Sequence, residues 1–148
     1  IEFWGINARL QPFQAIVALE GLKKINNVIK IRNENAKKMD KLLSNLYPNV
    51  TIPKRLKGHK ETYALYMCLF KKRDLLKEYL EKNNIETKIH YPIPLNMQKA
   101  AINMKLAQKN FKIANSQAKK LLTIPIHQYL KKKQIEYIAK KIKYFYNN

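Results

Sequence analysis

The chain has 148 residues, 46% of them hydrophobic, which suits one domain with a modest core and is too apolar for a disordered segment. A balance of 30 basic to 10 acidic residues gives a formal net charge of +20, yet the basic residues are mostly lysines spread over every segment. The only arginines are Arg9, Arg32, Arg55 and Arg73, and arginine is the preferred bidentate reader of phosphate and guanine, so diffuse solvated charge is the reading preferred over a nucleic-acid footprint. No apolar run approaches the ~20 residues of a membrane-spanning helix. The single cysteine, Cys68, rules out an internal disulfide, fits a cytoplasmic location and reads as a small buried hydrophobe.

Residues 1–9 read as an extended lead-in. Over residues 10–47 apolar side chains recur at three- and four-residue steps (Phe13, Ile16, Val17, Met39, Leu42, Leu43), which predicts a long first helix. Pro12 suits its first turn, Gly21 and the Asn26-Asn27 pair bend it or split it in two, and Pro48 ends it. Residues 51–60 form a polar loop with Pro53 and Gly58. Its Lys54-Arg55-Leu56-Lys57 run is basic enough to touch a phosphate, although a solvated loop is the simpler reading. Residues 62–70, apolar on both alternating faces, predict a central strand covered on both sides.

Arg73-Asp74 opens a helix that Asp74 can cap, with Leu75, Leu76, Tyr79 and Leu80 as its stripe and an Asn83-Asn84 close. Residues 85–91 alternate apolar and polar as a half-buried strand does, and Pro92 and Pro94 then stop the ladder, leaving His90 and Tyr91 at the strand end. Strand, helix, strand at this spacing fits either a crossover unit or an antiparallel split motif. Helices are expected over 97–106 and 114–122, a very short strand over 123–126 limited by Pro125, and a last amphipathic helix over 132–145 with Ile135, Ile138, Ile142 and Phe145 on one face. The product is an α+β domain with a long N-terminal helix and a small three-stranded sheet under covering helices.

Three stretches carry a resemblance. Gly5-Ile-Asn-Ala-Arg9 leads into the first helix, His90-Tyr-Pro-Ile-Pro-Leu-Asn-Met-Gln98 follows the strand over 85–91, and Leu121-Leu-Thr-Ile-Pro-Ile-His127 comes last. In this order they resemble the G-x-N-x-R, H-Y-P-x-P-L and L-S-L-P-I-H segments of the DegT/DnrJ/StrS sugar aminotransferases. The resemblance implies that residues 1–148 are the C-terminal small domain of a fold-type-I aminotransferase. It implies pyridoxal 5'-phosphate as cofactor in the intact protein, with the cofactor domain and its Schiff-base lysine upstream of residue 1. The opening on Ile1 rather than methionine fits a piece of a longer protein.

The same resemblance implies transfer of an amino group from glutamate or glutamine to a nucleotide-linked keto sugar, in a homodimer whose active site is shared across the interface. Asn7 is carried over as a cofactor-phosphate contact given across the dimer, and Arg9 as its companion for phosphate or substrate charge. His90 and Tyr91 are carried over as lining the sugar-nucleotide side of the cleft. No catalytic residue and no metal ligand is expected in the chain, and His127 reads as structural. Read from the residues alone, the preferred readings are His90 as a hydrogen-bonded histidine in a Pro-rich turn, Asn7 as a turn residue and Arg9 as a surface ion pair. Asn96 and Asn115 depart from the family pattern, in which a histidine and a Phe-Pro-x-Ala-Glu phrase are usual. The competing reading is a small basic module for RNA or an acidic partner, for which Tyr137, Tyr144, Phe145 and Tyr146 among the C-terminal lysines are the hint.

Overall fold

The computed structural model describes residues 9–103 and 111–148. Helix α1 (Pro12–Leu22) starts with Pro12 in its first turn and the Gln11 amide donating to the Gln14 side chain at 3.0 Å. The predicted long helix is in fact two: after Gly21, Lys23 and Lys24 turn the chain, and α2 (Ile25–Leu43) begins anew. The two differ in what they bury. α2 sends Ala36, Met39 and Leu43 into the core, whereas α1 buries no residue and leaves Phe13 76% exposed. Periodicity therefore marks α1 as a helix, but its apolar face has no partner within the described residues.

β1 (Val50–Thr51), β2 (Tyr66–Phe70) and β3 (Leu121–Ile124) form an antiparallel sheet in the order β1-β2-β3. β2 is central as predicted, but it starts later than expected, because Tyr63 sits in the left-handed region (φ 47°) and breaks the extended run before it. One face of the sheet carries Val50, Tyr66, Cys68, Phe70, Leu122 and Ile124, all buried. The register places Met67 opposite Thr123 and Leu69 opposite Leu121 on the other face, all four half-buried. Covering on both sides is thus complete on one side only.

The predicted strand over 85–91 is not one of the three. Its alternation is real, with Ile85 and Thr87 buried and Glu86 and Lys88 exposed, but only Lys88 joins the sheet. Lys88 and Thr123 exchange both main-chain bonds, at 2.9 and 3.1 Å. Left-handed turns at Asn84 (φ 58°) and Tyr91 (φ 57°) bracket the segment and keep the ladder to that one bridge. Its place in the count is taken by β1, whose Val50 and Thr51 straddle the start of what reads as a polar loop.

Helix α3 (Arg73–Lys82) is entered through Lys72 in the left-handed region (φ 51°), with no side-chain cap. Asp74 does not cap it; it lies in the first turn, paired with Arg73 Nε at 2.7 Å, where a carboxylate still complements the helix dipole. α4 (Lys99–Asn103) starts two residues later than the expected helix over 97–106, because Met97 closes a 3-10 turn (Leu95–Met97) and Gln98 is extended; residues 104–106 fall outside the described residues. α5 (Lys112–Ala118) ends earlier than predicted because Leu121 and Leu122 belong to β3, which accordingly starts two residues early and stops before Pro125. α6 (Lys132–Asn147) follows the prediction, burying Ile135, Ile138 and Ile142.

The core lies between the buried sheet face and the layer α2, α6 and α3, which supplies Met39, Leu43, Leu76, Leu80, Ile135 and Ile142. Each such side chain contributes about 1.5–3 kcal/mol by leaving water. The half-buried face of the sheet is left for the residues that bear on function.

Candidate functional site

β3 holds the site together. Its alternation sends Leu122 and Ile124 into the core and so turns Thr123, the residue between them, toward the opposite face. The Thr123 hydroxyl lies 2.7 Å from His90 Nδ1, and its main chain is bridged to Lys88. His90 is thereby tied to the sheet by the strand beside it rather than by its own ladder.

A cleft of about 450 Å³ opens across this region, lined by Tyr66, Thr87, Lys88, His90, Thr123 and His127 among others. His127, taken from the sequence as structural, is anchored by its main chain, whose carbonyl accepts from the Asn35 side chain at 3.0 Å. His127 nevertheless lines the same cleft as His90, and its Nδ1 accepts from the Tyr129 amide at 3.2 Å. Sequence reasoning did not single out Thr123, and it named His127 only as structural. The available signal was the spacing about Pro125: Thr123 and His127 stand two residues to either side of it, alternating with the buried Ile124 and Ile126.

Tyr91 parts from His90. The left-handed turn at Tyr91 swings its ring, 72% exposed, into a neighbouring hollow of about 500 Å³ with Leu95, Asn96, Phe111 and Leu121. Asn96, one of the departures from the family pattern, is half-buried there. His90 and Tyr91 rings are 6.3 Å apart and tilted by 51°, so one loop serves two adjoining hollows, the first of mixed polarity and the second mainly apolar.

Arg9 sits in the coil before α1, exposed, and makes no hydrogen bond or ion pair among the described residues; it lines neither hollow. Asn7 lies outside the described residues. The basic run at Lys54 to Lys57 is not a free phosphate contact through Arg55. That guanidinium forks onto Asp40 with both bonds at 3.1 Å, reaches Glu61 at 3.3 Å, and lies over the rings of Tyr63 and Tyr66. Among the described residues no three of His, Cys, Asp and Glu gather as metal ligands do. Cys68 is fully buried, and burial pushes its thiol up to about 12, the opposite of what a nucleophile needs.

Thr87 is 4% exposed and its hydroxyl has no partner among the described residues. An unsatisfied buried hydroxyl costs about 1–3 kcal/mol, so Thr87→Val, which keeps the shape, is expected to stabilise the chain by about 1 kcal/mol in urea unfolding. A destabilised variant would mean that the hydroxyl is hydrogen-bonded after all.

The aromatic residues near the C-terminus are engaged within the chain. Tyr144 stacks on Tyr79, the Tyr137 hydroxyl donates to the Asn83 carbonyl at 3.2 Å, and the Tyr146 hydroxyl donates to the Lys71 carbonyl at 2.6 Å. One face of Tyr144 is thereby covered by Tyr79, and Lys141 lies over the Tyr137 ring at 5.4 Å.

Comparison with known proteins adds a second line. The model of the DegT/DnrJ/EryC1/StrS aminotransferase family matches residues 1–143. A Geobacillus stearothermophilus protein called a pleiotropic regulatory protein is 27% identical over 145 residues, covering 97% of this chain and 39% of that protein. The dTDP-4-amino-4,6-dideoxy-D-glucose transaminase of Escherichia coli is 32% identical over 145 residues, covering 92% of this chain and 38% of that enzyme. The crystal structure of a DegT DnrJ EryC1 StrS aminotransferase from Brucella abortus matches with a TM-score of 0.86 at 28% identity, over 97% of this chain and 38% of that one. The chain thus spans under two-fifths of the length of each of these proteins.

Proposed function

Because the chain belongs to the DegT/DnrJ/EryC1/StrS aminotransferase family, we propose that it is the C-terminal domain of a pyridoxal 5'-phosphate-dependent enzyme that aminates a nucleotide-linked keto sugar. The amino donor is glutamate or glutamine, the assembly a homodimer and the location cytoplasmic. The observation that carries this reading is the match over residues 1–143 together with the His90 loop, which the sheet presents at an open cleft.

The cofactor, when bound, supplies an electron sink for amino-group transfer, and the protein orients it and holds its phosphate. Arg9 fits that role in part: its exposed planar fork matches a phosphate oxygen pair and is not spent on a carboxylate among the described residues. Asn7 is its proposed companion. The lysine on the cleft rim, Lys88, is exposed and paired with Glu86 at 3.4 Å, so the covalent lysine is assigned to the longer protein. His90 contacts the sugar-nucleotide side from the first hollow, and Tyr91 does so from the second. Segments of the longer protein cover α1, whose apolar side chains (Phe13, Ile16, Val17) would otherwise remain in water.

The test is absorbance in the cofactor's visible band, with pyridoxal 5'-phosphate added to this chain and to the chain extended upstream through its genomic context. Colour in the extended protein alone, fixed by borohydride to an upstream lysine, is expected. No upstream cofactor domain, with RNA retarded by this chain in a steeply salt-dependent way, would replace the reading with a basic binding module.

A further inference from the structure

Both imidazoles on the cleft engage through Nδ1, and this fixes what they can offer a ligand. The Tyr129 amide can only donate, so the His127 Nδ1 that it reaches at 3.2 Å must accept. A neutral His127 then carries its proton on Nε2. His90 Nδ1 faces the Thr123 hydroxyl at 2.7 Å, a bond that either group could donate. The surroundings choose. The hydroxyl has one proton and no other hydrogen-bond partner among the described residues, so donating to Nδ1 uses it, whereas accepting from Nδ1 leaves it without a protein acceptor. Thr123 is also held firmly in place, since its main chain is bonded twice to Lys88, two residues before His90, and a β-branched side chain in a strand is stiff at χ1.

We propose that Thr123 is a positioning residue that holds His90 as the neutral tautomer protonated on Nε2, and that the cleft consequently presents two imidazole N–H donors, from His90 and His127, to acceptor oxygens of its ligand. The identity of that ligand as a nucleotide-linked sugar rests on the functional reading above; the tautomers do not. Lys88 on the same rim is paired with Glu86 at 3.4 Å, so the two imidazole N–H groups are the donors the cleft offers to hydroxyl or phosphate oxygens, and its histidines serve as readers of oxygen lone pairs instead of as bases.

Nitrogen-15 spectra of the histidine rings in the full chain test this without cofactor or substrate, so their outcome is separate from that of the cofactor experiment. Above the imidazole titration range, His90 and His127 are expected to show pyridine-type Nδ1 and pyrrole-type Nε2 resonances. In Thr123→Val the two His90 nitrogens are expected to move toward each other as the second tautomer becomes populated, while His127 stays unchanged. Thr123→Ser is expected to restore the wild-type pattern. Slow exchange of the Lys88 amide in each variant reports that the bridge to residue 123 is intact; should the valine variant lose it, the serine variant and the wild-type spectrum decide alone. A pyrrole-type Nδ1 on wild-type His90, or His90 nitrogens identical in wild type and a folded Thr123→Val, would overturn the assignment.

Discussion

Alkaline titration is expected to unfold this chain from inside its core. Cys68 and Tyr66 are neighbours on β2, both buried on the helix-covered face, and the phenol donates to Asp40. Burial, ahead of the influence of its neighbours, raises the Cys68 thiol from 9.0 to about 12. Tyr66 is raised from its ordinary 10.0, first by burial, then by Cys68 and by Asp40. A raised folded value means that the native state keeps a proton that the unfolded chain has released. The stability it represents is therefore fully present below pH 9 and is lost as pH rises toward 12.

Each group steepens the loss by about 1.4 kcal/mol per pH unit once the unfolded chain has ionised. The two titrate as a coupled pair, since the first anion to form further disfavours the second. Deprotonation of lysines acts the other way by relieving the repulsion of a +20 chain. Urea midpoints across the alkaline range, compared between wild type and Cys68→Ala, separate the two effects: the variant starts lower but declines less steeply. Parallel pH profiles for the two proteins would sink the account.

What could be read in advance follows the range of the forces involved. α6 was legible because its stripe of Ile135, Ile138 and Ile142 answers to one neighbouring layer, and a period of 3.6 records that directly. β2 was legible for a similar reason, although its start was not, because the left-handed turn at Tyr63 is imposed from outside: Arg32 donates to the Tyr63 carbonyl at 3.3 Å and Arg55 covers its ring. The segment over 85–91 shows the opposite limit. Its alternation correctly reports which side chains are buried, but alternation cannot say whether a neighbour's main chain runs alongside for one residue or for five. The site follows the same rule. His90 stood out through the prolines after it, whereas Thr123 and His127 acquire their significance from strand register and from a turn after β3, 33 and 37 residues further along the chain.

Arg55 is the residue whose replacement should cost the most for its size. It comes from a loop that looked solvated and basic, yet it closes a ring of contacts. Its fork meets Asp40 of α2, its third arm meets Glu61, and its face rests on Tyr63 and Tyr66. Asp40 in turn accepts from the Tyr66 hydroxyl, so one carboxylate joins the first helical layer, the loop over 52–61 and the central strand. Removing one member of a buried pair strands the other, which costs about 3–5 kcal/mol in a dry interior. The guanidinium side chain here is 29% exposed and Asp40 21%, and screening reduces the expected loss for Arg55→Ala to about 2–3 kcal/mol. At this chain length that is roughly 5–10 °C in Tm. Arg55→Lys keeps the charge but cannot fork onto Asp40 and stack on two rings together, so it is expected to recover less than half of the loss. A double-mutant cycle with Asp40→Asn should return a coupling of at least about 1 kcal/mol. If Arg55→Lys unfolds within about 0.5 kcal/mol of wild type, a point charge suffices and the fork geometry is incidental.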